Sequence, residues 1–290
     1  ASTFDLQLTF AIPSFGSSCP FQGVLNNNLT HSVLIIIIAF FVLHWYATLV
    51  TQSLTYHRYA AHNMFTMSPA WEKMLIAVTY LAQGSSYLSP RAYGILHRLH
   101  HKNTDLPDDP HSPSHYPKRF FGPVLMMIET VKIYHAINMG KTDFEVGSKH
   151  IFIDKAIQKN LPYYPVFDHV AQTWALRLVW VVLYTLVYVI FAPSFWWYIL
   201  IPIHYVMSSV HGLIINWYAH TIGYRNYEAK NTSTNLFPID PMAGEGLHNN
   251  HHQYPGRANF ATRWFEFDLT YQVIRVLVWM RIIKLRATTA

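Results

Sequence analysis

The sequence predicts an all-α integral membrane protein, with about three to four transmembrane helices capped by a helical cytosolic domain that holds a histidine-rich dimetal site. Three observations predict it. Charged residues make up 12% of the 290, against roughly 25% in a soluble domain, and apolar residues reach 51%. Runs long enough to span a bilayer carry almost no charge. Histidine, at 18, outnumbers aspartate plus glutamate at 15, and it is clustered. Neutral imidazole is the commonest protein metal ligand.

The net charge is +6 with histidine neutral. No Lys/Arg run of the nucleic-acid-binding kind is present, so no nucleic-acid partner is expected. Basic loops on the cytoplasmic side of a membrane account for the charge better. The single cysteine, Cys19, allows neither an intrachain disulfide nor a cysteine-based zinc or iron–sulfur site.

Residues 1–30 have no basic start and no long apolar core, so they read as a leader of unknown role rather than a signal peptide. Residues 32–56 hold no Asp, Glu, Lys or Arg and exceed the roughly 30 Å hydrocarbon core at 1.5 Å per residue. The run 71–90 is apolar but short, and "QGSS" weakens it; it reads as membrane-embedded or interfacial. A second apolar block, broken at "APSFWW", reads as a helical hairpin with spans 174–193 and 196–217. The basic segments 102–172 and 222–290 fall on the cytoplasmic side by the positive-inside tendency. Residues 271–285 resemble an amphipathic surface helix.

The histidine clusters lie at the ends of these spans. "HRLHH" supplies His97, His100 and His101, and "HNNHH" supplies His248, His251 and His252. On a helix the i, i+3 and i, i+4 spacings put each triplet on one face, where it can offer two or three nitrogens to a metal. His57 and His62, five apart, suit an α-helix less well unless it ends near Ala60. Asn216 and His220 are i, i+4 at the exit of the last span. Nine imidazoles exceed one tetrahedral zinc site and suit two ions with four or five nitrogens each; the ligand type alone does not choose between Fe, Zn, Cu and Ni. Carboxylates should orient the rings, and Asp109 and Glu245 are the first choices, with His111 beside them. A solvated histidine tract explains one triplet, but not two of identical spacing with a pair and an Asn-x-x-x-His element. His44, His204 and His211 read as hydrogen-bonded core residues of the spans.

These boxes, "HRYAAH", "HRLHH", "NWYAHTIGYRNY" and "GEGLHNNHH", with "DDPHSP" after the second, resemble the membrane fatty-acyl desaturases of the stearoyl-CoA type, in a shorter bacterial-type form. The resemblance covers roughly residues 32–285 and implies one membrane desaturase domain over 31–290. It implies two Fe ions, replaceable by Zn in purified protein, held by His57, His62, His97, His100, His101, His220, His248, His251 and His252, with Asn216 as a water-mediated tenth contact. It implies O2 as co-substrate and an external electron donor of cytochrome b5, ferredoxin or rubredoxin type. The substrate would be an acyl-CoA or acyl-lipid chain bent in an apolar, aromatic tunnel, with the metal site on the cytoplasmic face. Breaking unactivated C–H bonds needs an oxidant that side chains cannot supply. Arg91, Lys118, Arg119 and Arg257 are candidates to hold an anionic head group. A lipid hydroxylase or an alkene-forming decarboxylase on the same scaffold is the alternative within this chemistry. A membrane metal transporter is the alternative outside it, disfavoured because the clusters sit at span ends rather than along a path.

Overall fold

Neither proline, glycine nor charge interrupts residues 32–51, and one helix, α1 (Pro20–Thr51), runs through them. In this computed structural model residues 20–117 and 120–287 are described, with side chains from Ser32 onward. The helix therefore starts inside the expected leader; residues 1–19 of that leader, Lys118 and Arg119 lie outside the described residues. Ile35 and Leu43 are among its exposed apolar residues, as contact with lipid requires.

At Gln52 the helix changes pitch and continues as a π-helix to Ala61. Apolar helix accordingly extends over Ser32–Ala61, five residues beyond the expected 32–56. β1 (Phe65–Met67) and α2 (Pro69–Gln83) follow. Fifteen residues at 1.5 Å each reach about 22 Å, too short to span, and Leu81 and Met74 face outward. Gly84 ends the helix at φ 52°, and a Cβ there would meet the Tyr184 hydroxyl. α3 (Pro90–Asn103) opens, like α2, on a Ser-Pro pair whose serine oxygen caps a backbone N–H. Its apolar stripe, Ala92, Ile95, Leu96 and Leu99, packs on Ile133 and Ile137 of α4 (Gly122–Asn138) and turns the histidines the other way.

α4 was not singled out by sequence. Its flanking Phe120 and Phe121 and its own Val124, Leu125 and Ile128 are exposed, the pattern of a helix lying in a lipid surface. A β2–β3 hairpin (Asp143–Val146, Lys149–Phe152) and α5 (Pro165–Ala171) lead to α6 (Trp174–Phe191), the second helix long and apolar enough to cross. It stops at Phe191, before Pro193, rather than at 193.

The third expected span, 196–217, is not one straight helix. Phe195–Tyr205, which ends in α7 (Ile201–Tyr205), and Met207–Tyr218, which begins with α8 (Met207–Leu213), meet at 78°. A break at membrane depth frees backbone groups that must find partners. The Ser85 hydroxyl donates to the Tyr205 carbonyl (3.0 Å), and the Ser208 N–H donates to Ser86 Oγ (3.4 Å). The "QGSS" that keeps 71–90 from spanning thus satisfies the break in another helix. Among the described residues two helices are long and apolar enough to cross a membrane, or three with the bent pair counted as one span. The remaining helices, α9 (His248–Gln253) and α10 (Leu269–Trp279), cap the same end as α3. The run expected as one surface helix to 285 ends at Trp279, and β4 (Ile283–Leu285) pairs antiparallel with β1. Leu54, Phe65, Leu247, Phe260 and Ile274 form the core beneath this cap.

Candidate metal centre

The π-helix answers the awkward spacing of the first pair. Its hydrogen bonds close from i to i+5, and the His62 N–H donates to the His57 carbonyl at 3.1 Å. Residues five apart therefore stack, and both imidazoles turn to the same side. Asn216 also lies in a π-helical turn, Ile214–Tyr218, with His220 just past it.

The nine imidazoles form two groups. His57, His62, His97, His101 and His251 bring one nitrogen each within 4.8 Å of one another, and so do His100, His220, His248 and His252. The triplets are split between the groups rather than kept together, as a shared face allowed one to expect. α3 gives its i, i+4 pair to the first group and His100 to the second. α9 gives its i, i+4 pair to the second and His251 to the first. Equal spacing is thereby used twice with the roles exchanged, and the groups abut where the His101 and His252 rings stack at 4.4 Å.

The Nε2 atoms converge. His251 Nε2 is 2.9 Å from both His57 Nε2 and His101 Nε2, and His62 Nε2 is 2.9 Å from His97 Nε2. In the second group His248 Nε2 is 3.1 Å from His220 Nε2 and 3.0 Å from His252 Nε2. Carboxylates fix two of the rings from behind. His57 Nδ1 bonds Glu245, which also accepts from Ser53, and His100 Nδ1 lies 2.9 Å from Asp109 Oδ1. A proton held at Nδ1 leaves a bare lone pair at Nε2, so the inner atoms are acceptors facing acceptors. Cations between them would relieve that opposition, and buried nitrogen donors in fours and fives fit two borderline metal ions.

Burial, and then the positive charge neighbouring rings would carry, hold His62, His97, His101, His248, His251 and His252 well below the usual imidazole value. His220 falls to about 3 for the same reasons. All are neutral and ready to ligate near pH 7. The unfolded chain takes up protons near pH 6.5 where the folded metal-free chain does not. It then binds more protons, so stability falls as pH drops below about 6.5. Thermal unfolding of metal-free protein measured between about pH 7.5 and 5 should show the midpoint descending, and a flat profile would contradict this neutral, buried state.

Burial works against ionisation of Glu245, but the His57 ring and Arg58 outweigh it and hold the carboxyl below its ordinary value. Asp109 is likewise lowered despite burial, chiefly by His100. Asp109 also accepts the His111 N–H (3.1 Å), and the His111 ring lies 4.3 Å from that of His100. The loop carrying Glu245 depends on glycine: Gly244 sits at φ 102° where a Cβ would strike Asp268, and a Cβ at Gly246 would strike Asp240. Asp240 touches none of the rings; it accepts the N–H groups of Met242, Gly244 and Gly246. Sequence reasoning missed Thr232, whose hydroxyl is 3.3 Å from His220 Nδ1, and Asn231, 3.3 Å from His252 Nδ1. They lie in an aperiodic loop, "KNTSTN", with no local signal. Glu245→Gln should weaken metal affinity about 10- to 100-fold, read by chelator competition.

A cavity of about 630 Å³ opens onto both groups, with His57, His97, His248 and Asn216 in its wall. The aromatic residues Tyr93, Tyr134, Trp174 and Tyr205 line it, and the Tyr93 ring lies parallel to His97. Of the four head-group candidates, the two described ones do not: Arg91 donates to Gln158 (2.7 Å), and Arg257 is exposed away from the cavity. The arginine in the wall is Arg177, and its guanidinium is committed to the carbonyls of Ser85, Tyr87 and Gln172. His44 and His204 lie outside both groups as a stacked, hydrogen-bonded pair (Nδ1···Nδ1 2.6 Å) within the spans.

Residues 31–277 match the sequence profile of the fatty acid desaturases. The chain belongs to the fatty acid desaturase family. It is 28% identical over 246 residues to the sn-1 stearoyl-lipid 9-desaturase of Anabaena variabilis, covering 81% of this chain and 78% of that one. It is 26% identical to the Delta-9 desaturase-like 3 protein of Arabidopsis thaliana (79% and 69%). It is also 26% identical to the hex-5-enoyl-[acyl-carrier protein] acetylenase of Moorena producens (79% and 70%). This desaturase family member is thus an oxidoreductase with two to three segments long and apolar enough to span a membrane, and its histidine groups gather distant stretches of the chain.

Proposed function

We propose that the protein desaturates a fatty-acyl chain, as acyl-CoA or acyl-lipid, with O2 and two iron ions, taking electrons from an external donor. One observation carries this: two interlocked imidazole groups open onto a mostly apolar cavity. The five-nitrogen group would hold one ion and the four-nitrogen group the other, with Asn216 contributing through water. Bound iron supplies the O2 and one-electron chemistry that side chains lack. The chain's own residues do the rest. Glu245 and Asp109 keep the protons of His57 and His100 on Nδ1, so Nε2 stays free. Leu88, Leu96, Met127 and Ile215 exclude water from the reacting carbons, and Tyr93 presses the chain toward the His97 side. The basic segments around the cluster support a cytoplasmic-facing site.

The relatives include both 9-desaturases and an acetylenase, so the scaffold alone does not set the product. Expression in a host followed by fatty-acid profiling with double-bond location tests the reading. A new unsaturated acid, dependent on His251, supports it. Hydroxylated or terminal-alkene products would give it over to the alternatives on the same scaffold, and metal uptake without any acyl product would favour transport.

A further inference from the structure

Two polar side chains in the cavity wall have no use in the metal centre and leave three polar atoms without a partner. His211 of α8 is 1% exposed, and among the described residues neither ring nitrogen has a hydrogen-bond partner. Gln52, at the start of the π-helix, is 8% exposed, and its Oε1 is also unpartnered. The two are neighbours: the Gln52 amide donates to the carbonyl of Ser208 (3.4 Å), one turn before His211. The Trp45 ring lies T-shaped to His211 at 4.4 Å, and Leu49 and Ile215 are the apolar neighbours in the wall. A plain hydrocarbon here would leave three buried polar atoms dry, which is costly.

The geometry points to a second polar subsite in the acyl cavity, built for a hydroxyl group borne by the chain itself. A neutral imidazole offers one N–H and one lone pair, and Gln52 Oε1 only accepts. A hydroxyl serves two of the three atoms, accepting from the His211 N–H and donating to Gln52 Oε1; a carbonyl oxygen would serve only the first, and a hydrocarbon none. His211 precedes Asn216 by five residues, roughly 7 Å of helix, so the hydroxyl lies several carbons from those held at the metal centre. The substrate class is therefore an oxygenated acyl chain, an assignment that rests on the acyl reading above.

Binding to the metal-free full-length chain in detergent tests it without turnover. Methyl stearate and a set of methyl hydroxystearates, with the hydroxyl moved along the chain, would displace a fluorescent acyl probe. One positional isomer should bind at least about tenfold more tightly than methyl stearate. That advantage should vanish in His211→Phe and in Gln52→Met; if the first fails to fold, the second carries the test. Equal affinity of all esters in the wild type, or a preference that survives a folded variant, overturns the subsite while leaving the acyl reading intact. Failure of every ester to displace the probe overturns both.

Discussion

His251→Ala should cut iron content by about half or more and lower acyl desaturation by at least ~100-fold, the upper range for residues that merely support ligands. The imidazole is completely buried, and its Nε2 lies 2.9 Å from those of both His57 and His101. No other side chain of α9 serves the five-nitrogen group. Alanine removes the nitrogen and leaves apolar Phe260, 4.5 Å away by ring centroid, to face the space. Metal analysis of purified protein and product profiling read the two effects separately. His44→Ala is the control, since that ring pairs with His204 within the spans; its iron content should match the wild type. Normal iron and normal product in His251→Ala would remove this residue from the ligand set.

Arg58→Ala should destabilise the fold by about 3–5 kcal/mol, the cost of breaking a buried ion pair. Arg58 is completely buried, its Nη2 donates to both carboxylate oxygens of Asp268 (3.0 and 2.9 Å), and its guanidinium sits 4.0 Å over the Phe260 ring. Burial already raises the Asp268 pKa despite that cation. Without the cation Asp268 stays buried and uncompensated, and Glu245 loses a positive neighbour at 3.8 Å. Asp268 also caps α10 through the Tyr271 N–H, so the pair pins the π-helix to the C-terminal cap. Denaturant or thermal unfolding in detergent measures the loss. The double variant with Asp268→Ala should cost less than the two single losses combined, because both break the same bond. A single-variant loss under about 1 kcal/mol would place the pair with screened surface bridges instead.

Spacing made the two triplets legible, because i, i+3, i+4 is a helical face whatever the tertiary structure. Which group each nitrogen joins was not legible: the same face is compatible with three nitrogens in one group, and only the approach of α3 to α9 divides them. The His57/His62 pair looked poor because an α-helix was assumed, and the change of pitch at Gln52 carries no compositional signal. Glu245 and Asp109 could be picked by nearness in sequence, whereas Asp240, just as near, spends its oxygens on backbone N–H groups. The candidate spans were visible as apolar runs with at most one charge, Arg177. The 78° break was hidden, because what permits it lies more than a hundred residues earlier, in Ser85 and Ser86. His211 was read as a satisfied core histidine, and the structure leaves it without a partner.

The exchange of single histidines between α3 and α9 has a thermodynamic corollary. Neither helix can be aligned for one ion without also aiming its remaining imidazole at the other position. The first cation to arrive meets the ordering cost for both helices, so the second binds to an arrangement already made. Occupancy should therefore rise steeply, with chains carrying a single ion scarce at every point of a titration.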